Sequence, residues 1–484
     1  MTNRDITTRF GRSHRLLPRF AAMAMALTLP LAGCSIDELL EVEDPDVARP
    51  EALESKEALP AILAGAVGDF QVALGGNPAG NPVGVGGEGQ INLSGLFTDE
   101  LLNTESFPTR IEVDTRAVEI DNATTQGIFR ALARARASAE FAVRRFEEFD
   151  PNTAGHAESL ALAGFSYILF AENYCSGVAF STLTDAGTVE YGPQLTTRQM
   201  FETALARFDA ALAAATAAGD ALLTNLAHVG RGRSLLGLGQ FAAAGTAVAA
   251  VPTSFVYLSE HSSNSPRQEN GIFNFVQIAE RWGQSNNEGI NGLPFRTAAD
   301  PRTPFTRTPA NDLGFDNSTP IFDQLKYPDR DADVVVASGL EARLIEAEAA
   351  LRAGNSALAL TRLNDLRASP PAYATVVGGT LAPLSDAGSP DARVNQLFRE
   401  RGFWLYLTSH RLGDLRRLVR PIAGDLPGYG RPENTVFPSG AYERPLVGGA
   451  YGTDVNLPIP VDEANNPNVA KDAGGLPQCL DRNA

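Results

Sequence analysis

Positive charge is in short supply in this chain. It has 40 Lys and Arg against 57 Asp and Glu, a net charge of −17. Nucleic acid, whose phosphates need a basic surface, is excluded as a partner on that ground. Attachment to a membrane through a polybasic patch is excluded for the same reason. Long apolar runs are missing as well. No run after the first 33 residues is expected to reach the roughly 20 apolar residues that a bilayer span needs. Histidine is rare, with only His14, His156, His228, His261 and His410. None of them has the spacing of a zinc site such as H-E-x-x-H. No G-x-S-x-G nucleophile elbow occurs. Carboxylates are plentiful, but no pattern singles out two of them as a glycosidase pair. No catalytic residue, metal or cofactor is therefore assigned.

The first 33 residues are read as a leader that is removed. Arg4, Arg9, Arg12, Arg15 and Arg19 make a basic start, and Phe20 to Leu31 is an apolar stretch of signal-peptide length. Leu31-Ala32-Gly33-Cys34 follows, a small-residue cleavage site with cysteine immediately after it, similar to the lipobox of bacterial lipoproteins. Cys34 is the expected lipidation site, since its thiolate takes the diacylglycerol and several acyl chains anchor stably where one does not. With five Arg and one Asp the leader is worth +4, and removing that from −17 leaves a body at −21. Cys175 and Cys479 remain. Outside the cytoplasm two such thiols can pair, which would staple the C-terminal tail to the body.

The body is expected to be mostly α. Helical periodicity runs through 127–149, 156–174, 198–218, 221–238, 241–250, 339–353, 355–368 and 391–419. Several of these stretches form pairs, in which a helix of about four turns ends in a short glycine-containing turn and an alanine-rich helix follows. Leu238-Gly239-Gln240-Phe241 and Arg352-Ala353-Gly354-Asn355 are two such turns. Both suit a tetratricopeptide-like helical hairpin, in which neighbouring hairpins bury each other's faces. The segment 251–336 is rich in Pro, Asn, Gly and Asp, and reads as a long irregular insertion. Residues 421–484 read as an irregular tail. The expected organisation is a leader over 1–33, a helical part over 34–250, the insertion over 251–336, and a final helical part with the tail over 337–484.

Two motifs are set aside. Gly84-Val85-Gly86-Gly87-Glu88-Gly89 satisfies G-x-G-x-x-G, which binds a dinucleotide only between a strand and a helix. Here it lies in a Gly/Asn/Pro loop spanning 75–89. Asp329-Arg330-Asp331-Ala332-Asp333 starts like a calcium loop. However, Val334 replaces the required glycine and Leu340 the terminal glutamate, so it is read as a solvated acidic turn.

Four stretches together resemble the SusD/RagB family of outer-membrane nutrient-binding lipoproteins. The first is Cys34-Ser35-Ile36-Asp37-Glu38, a lipid cysteine followed closely by acidic residues. The second runs from Ala347 through Gly354 to Leu363-Asn364 and Arg367. The third is Glu400-Arg401-Gly402-Phe403-Trp404-Leu405, followed by His410-Arg411-Leu412-Gly413-Asp414-Leu415-Arg416-Arg417. The last is Leu457-Pro458-Ile459-Pro460 with Asn465-Asn466-Pro467-Asn468. One departure is Thr408-Ser409, where the family usually has Glu-Gly before His-Arg. The resemblance implies a non-enzymatic protein, lipid-anchored on the outer face of the outer membrane. It would bind an oligosaccharide or other nutrient and deliver it to a SusC-type TonB-dependent transporter.

Read from its own residues, the third stretch places Phe403, Trp404, Leu407 and Leu415 on an apolar face. Glu400, Arg411 and Asp414 are expected to pair with neighbours along the helix. A glycan site needs flat aromatic faces beside amides or acids. Trp282, in the polar stretch Glu280-Arg281-Trp282-Gly283-Gln284, is the first ligand-binding candidate, followed by Phe295, Phe305 and Tyr327 in the same insertion. Two rival roles are a tetratricopeptide-like assembly scaffold facing the periplasm and a lipid-anchored hydrolase. The long insertion and the Pro-Ile-Pro tail count against the scaffold.

Overall fold

A computed structural model of the chain describes residues 53–79, 87–184, 188–307 and 309–484. The described residues belong to one compact unit. The leader and Cys34 lie outside the described residues, as does the first half of the G-x-G-x-x-G stretch.

The fold is mostly helical. Its helices are α1 (Leu59–Gly75), α2 (Gln90–Phe97), α3 (Pro108–Asp114), α4 (Ala123–Phe149), α5 (Ala154–Asn173), α6 (Thr197–Ala218), α7 (Ala221–Gly237) and α8 (Phe241–Val248). They continue with α9 (Gly271–Phe273, running into a π-turn at Asn274–Ile278), α10 (Gly339–Arg352), α11 (Ser356–Ala368), α12 (Pro390–Trp404) and α13 (Arg411–Val419). Local chemistry sets the ends. Thr196 and Gln199 form a reciprocal capping box at the start of α6, and Gly219 closes it in the left-handed conformation. Asp220 then accepts from the Leu223 N–H to start α7, and Asn355 accepts from the Leu358 N–H to start α11.

Neighbours in sequence are neighbours in space. α1 packs on α4, α4 on α5, α5 on α6, α6 on α7, α7 on α8, α8 on α10, and α10 on α11. The seams are close because small residues line them. Phe208 of α6 fits between Gly164 of α5 and Gly230 of α7, where a Cβ would come within 2.7 Å and 2.1 Å of its ring. Both expected turns fall between paired helices, α7–α8 and α10–α11, with Gly239 and Gly354 at positive φ. α1 was not foreseen. The stretch Lys56–Gly75 has the length and hydropathy of a membrane span, but half of it is buried inside the fold. It is a core helix whose Ile62, Ala66 and Phe70 join the main hydrophobic cluster.

The helical pattern over 391–419 is broken in two. Leu405–His410 forms a turn between α12 and α13, with Leu407 and Ser409 at positive φ. Ser409 stands where the SusD-type signature has glycine, and its φ of +60° is the conformation in which glycine carries no Cβ penalty. The charged residues here pair mostly across elements rather than along one helix. Arg401 makes a two-pronged contact with Asp414 at 2.7 Å on each oxygen. Arg417 reaches Asp414 at 2.8 Å and both oxygens of Glu348 on α10 at 2.9 and 3.0 Å. Arg411 grips Asp99 at 2.6 and 2.7 Å. Glu400 receives Arg302 and Arg367. Arg416 donates to the carbonyls of Ala171, Glu172 and Tyr174 at 2.8–3.0 Å, satisfying the C-terminal end of α5. Trp404 is buried, as expected for core packing.

The strands are short and form two-stranded ladders: β1 (Leu101–Asn103), β2 (Val178–Ala179), β3 (Thr182–Leu183), β4 (Val189–Glu190), β5 (Gln194–Leu195), β6 (Val256–Ser259), β7 (Trp282–Gln284), β8 (Phe305–Thr306), β9 (Asp323–Gln324) and β10 (Val334–Ser338). β6 and β10 run antiparallel, with Ser259 opposite Val334 and Val256 opposite Ser338, so the two ends of the insertion are fastened together. The tail returns to α5. The Leu457 N–H donates to the Asn173 carbonyl and the Cys175 N–H to the Leu457 carbonyl, both at 2.9 Å. Cys175 and Cys479 are joined as a disulfide with their Cα atoms 5.7 Å apart, within the usual range for such a bond.

Candidate functional site

The insertion folds against the segment after α2 through strand pairing. β1 runs antiparallel to β7, with Leu101 opposite Gln284 and Asn103 opposite Trp282. The Gln284 N–H donates to the Phe322 carbonyl at 2.7 Å, just before β9, and β8 pairs with β9, so the two ladders are tied at that bond. All three residues of β7 are buried. Trp282 points into the core and is 1% exposed, stacked on Phe275 at 4.7 Å between ring centroids.

That placement corrects the choice of ligand-binding residues. Trp282 has no open face, because its ring fills the space under the strands. Phe295 is fully buried, at 4.9 Å from the Tyr406 ring and 5.2 Å from Phe403. Tyr327 is also buried, donating its hydroxyl to the Leu407 carbonyl at 2.8 Å. All three are held in the core by packing, so none offers a surface for stacking. Of the four candidates only Phe305 is exposed, at 37%.

Besides Phe305, the structure exposes rings that the sequence did not single out. Phe107 and Phe315 are 45% and 46% exposed, with centroids 6.4 Å apart. The Arg281 guanidinium lies over both, at 5.2 Å from Phe107 and 4.5 Å from Phe315. Beneath, Arg110 sits over Phe107, Phe275 and Trp282 and pairs with Glu88 and Glu105, and Glu105 also pairs with Arg281. The order from core to surface is thus aromatic, arginine, aromatic, with buried carboxylates holding the arginines. Phe315 is fixed from the backbone, its N–H donating to the Glu280 carbonyl at 2.8 Å. On the other side, Phe305 stands edge-on to Phe322 at 5.9 Å, and Arg296 and Arg307 cover Phe322 at 3.6 and 5.0 Å.

Main-chain carbonyls tie these segments together. The Arg307 guanidinium donates to the Asp312 carbonyl, and Phe315 hangs from Glu280. Burial, with Asp312 and Glu280 adding repulsion, pushes the Asp323 carboxyl up to about 6. A carboxyl raised in the fold costs stability once it ionises. This cost is absent near pH 4, grows as pH rises to about 6, and stays constant above. Asp323 is half exposed, so solvent screening reduces the full linkage value to about 1 kcal/mol. Asp323→Asn is expected to raise the unfolding free energy by that amount at pH 7 and to leave it unchanged at pH 4. Denaturant titrations of both proteins at the two pH values check this.

Exposed aromatic rings with fixed arginines and acids at their margins suit a ligand with apolar faces and many hydroxyls. Among the described residues, no group of three or more His, Cys, Asp or Glu is placed to hold a metal ion.

No family model and no curated protein matches the sequence. Solved structures do match. A SusD-like protein of Bacteroides fragilis NCTC 9343 superposes with a TM-score of 0.58 at 12% identity, over 88% of this chain and 98% of its own. A SusD/RagB family protein of Bacteroides thetaiotaomicron VPI-5482 gives a TM-score of 0.56 at 11% identity, over 84% and 94%. A SusD-like carbohydrate binding protein of Bacteroides vulgatus ATCC 8482 gives 0.52 at 16% identity, over 75% and 83%.

Proposed function

We propose that this chain, which carries the SusD-like fold, is a glycan-binding lipoprotein of the outer membrane that takes up its ligand on the exposed Phe107–Phe315 pair. The observation that carries this reading is the exposed pair Phe107 and Phe315 clamped on Arg281. Exposed apolar surface of this kind marks an interaction site rather than a packing need. The solved SusD-like carbohydrate binding protein of similar fold supports the ligand class. The basic leader and Cys34 support export and lipid anchoring, and the SusD/RagB resemblance supports a body that faces the cell exterior. We read the chain as a binding protein and not an enzyme, with a SusC-type TonB-dependent transporter as the recipient of the ligand.

Two experiments test this. In the first, the protein tagged at its C-terminus is pulled down from detergent-solubilised outer membranes. Recovery of a large TonB-dependent barrel supports uptake, whereas barrel-assembly components without a transporter would point to the periplasmic scaffold. In the second, glycan-array binding of the wild type is compared with Phe107→Ala and Phe315→Ala. Each ring lost from a stacking contact should weaken binding by about 1.4 kcal/mol, about tenfold in Kd. Unchanged binding by both variants would remove the site from this face.

A further inference from the structure

The tail carries a short hairpin whose hold on the body is confined to a few side chains. Ala441 and Ala450 bridge antiparallel, and the Tyr442 N–H donates to the Gly449 carbonyl and the Tyr451 N–H to the Gly440 carbonyl, both at 3.0 Å. Its far end, with Pro445, Leu446, Gly448 and Gly449, is exposed. Among the described residues no main-chain hydrogen bond joins 441–451 to another element. The chain is pinned on either side instead. The Ile290 N–H donates to the Ser439 carbonyl at 3.0 Å, and the Gly452 N–H to the Thr115 carbonyl at 2.7 Å. A lone two-stranded hairpin is marginal in water, so the inward side chains of this one hold it in place.

Those side chains are Tyr442, Arg444 and Tyr451. They close on two buried carboxylates, Asp114 at the end of α3 and Glu288 in the insertion. The Tyr442 hydroxyl donates to Asp114 Oδ2 at 2.6 Å, and the same oxygen accepts from the Asn103 N–H of β1 at 3.0 Å. The Tyr451 hydroxyl donates to Glu288 Oε2 at 2.7 Å. One nitrogen of Arg444, Nη2, serves both acids, at 2.6 Å from Glu288 and 3.6 Å from Asp114. Two acids therefore share one cation. The neighbouring charges do not redress this. Arg296, the next cation toward Glu288, makes no ion pair among the described residues, and lies over Phe322 while donating to the Ser285 carbonyl. Arg116, toward Tyr451, is taken up by the carbonyls of Pro438 and Asp454. Glu443, the other acid on the hairpin, is exposed. With both buried acids ionised, one negative charge stays uncompensated beneath the hairpin, and Asp114 Oδ1 has no donor. One proton shared by the pair removes that charge.

We infer that residues 441–451 form a proton-dependent strap, closed while the Asp114–Glu288 pair holds one proton and loosened when both acids are charged. The strap does not depend on the ligand-binding role. Its pH window follows from the acid at its base. Burial pushes the Asp114 carboxyl up to about 6 against the pull of Arg444, with Glu288 adding repulsion. In the released state an exposed aspartate titrates near its ordinary value of about 4. The closed state thus binds the proton more tightly. Its advantage is full at or below about pH 4, falls as pH rises to about 6, and is constant above.

The test is amide hydrogen exchange on the full body at pH 5 and pH 7.5, corrected for the intrinsic exchange rate. The Tyr442 and Tyr451 amides should lose protection about tenfold at the higher pH. The Leu457 and Cys175 amides, which tie the tail to α5, should keep theirs. Asp114→Asn and Glu288→Gln each remove the excess charge, so in either variant the hairpin should stay equally protected at both pH values. Should one variant fail to fold, the other gives the reading. Equal protection of the wild-type hairpin at both pH values would overturn the strap. So would an equal loss at Leu457 and Cys175, which would mark a change in the whole fold. A pH dependence retained in the variants would overturn its assignment to this pair.

Discussion

Replacing Asp414 with alanine will destabilise the protein by about 3–5 kcal/mol, the usual cost of removing one partner from a buried ion pair. Asp414 is buried between two guanidiniums, Arg401 and Arg417, and the variant leaves both with one acceptor group, Glu348, to share. Burial alone would raise the Asp414 carboxyl, but Arg401 and Arg417 together hold it well below the usual carboxylate range. A depressed carboxylate stabilises the fold above its unfolded value, near pH 4. That stabilisation is lost only as pH falls through the much lower folded value. The network should therefore persist at pH 4 and fail only in strong acid. Urea titration of Asp414→Ala at pH 7 reads the loss directly. Asp386→Ala serves as control, because its two-pronged contact with Arg393 is in solvent, and its midpoint should not move. A midpoint for Asp414→Ala as unchanged as the control's would refute the structural weight given to the network.

The second large effect belongs to the disulfide. Cys175 and Cys479 are separated by 304 residues, so the bond closes a very long loop in the unfolded chain. Losing it should cost about 2–5 kcal/mol. The double variant Cys175→Ser, Cys479→Ser, compared with the wild type in urea, gives the figure. Adding a reductant to the wild type should reproduce it and leave the double variant unaffected. The tail has other holds on the body, since Leu457 bonds to both Asn173 and Cys175, and the Leu480 N–H donates to the Ser176 carbonyl. The tail is therefore expected to loosen first near Cys479 while Leu457 stays in place, which hydrogen exchange would resolve.

The scaffold was legible wherever a local signal sufficed. Thr196 with Gln199, Asp220, Asn355, and the glycines 219, 239 and 354 mark helix ends by chemistry acting within a few residues. α1 was passed over because it lacks a clear polar face. It is apolar almost throughout, and it precedes a glycine-rich loop that drew attention instead. The break between α12 and α13 was invisible because it depends on Leu407 and Ser409 at positive φ, with neither glycine nor proline to announce it. The site was the least legible part. Trp282 stood out for its polar neighbours, yet a three-residue strand turns its ring inward. Phe107 lies far from the insertion in sequence and reaches it only because β1 pairs with β7. Phe315 reaches the surface through a turn stitched by Asp316, which accepts from the N–H groups of Ser318 and Thr319. Long-range pairing made the aromatic face, and no local pattern encodes it.

The ladder between β6 and β10 bears on how such a protein can diversify. Ser259 and Val334 sit opposite one another, so the whole length of chain between them departs from and returns to one spot on the helical frame. Such an attachment behaves like a socket. A replacement segment of different length can enter and leave there, provided it rebuilds the contacts that Phe295, Arg302 and Tyr327 make with α12 and the turn after it. New ligand preferences can then arise by exchanging the exposed loops of the insert, which among the described residues make no contact with the charged lattice around Asp414.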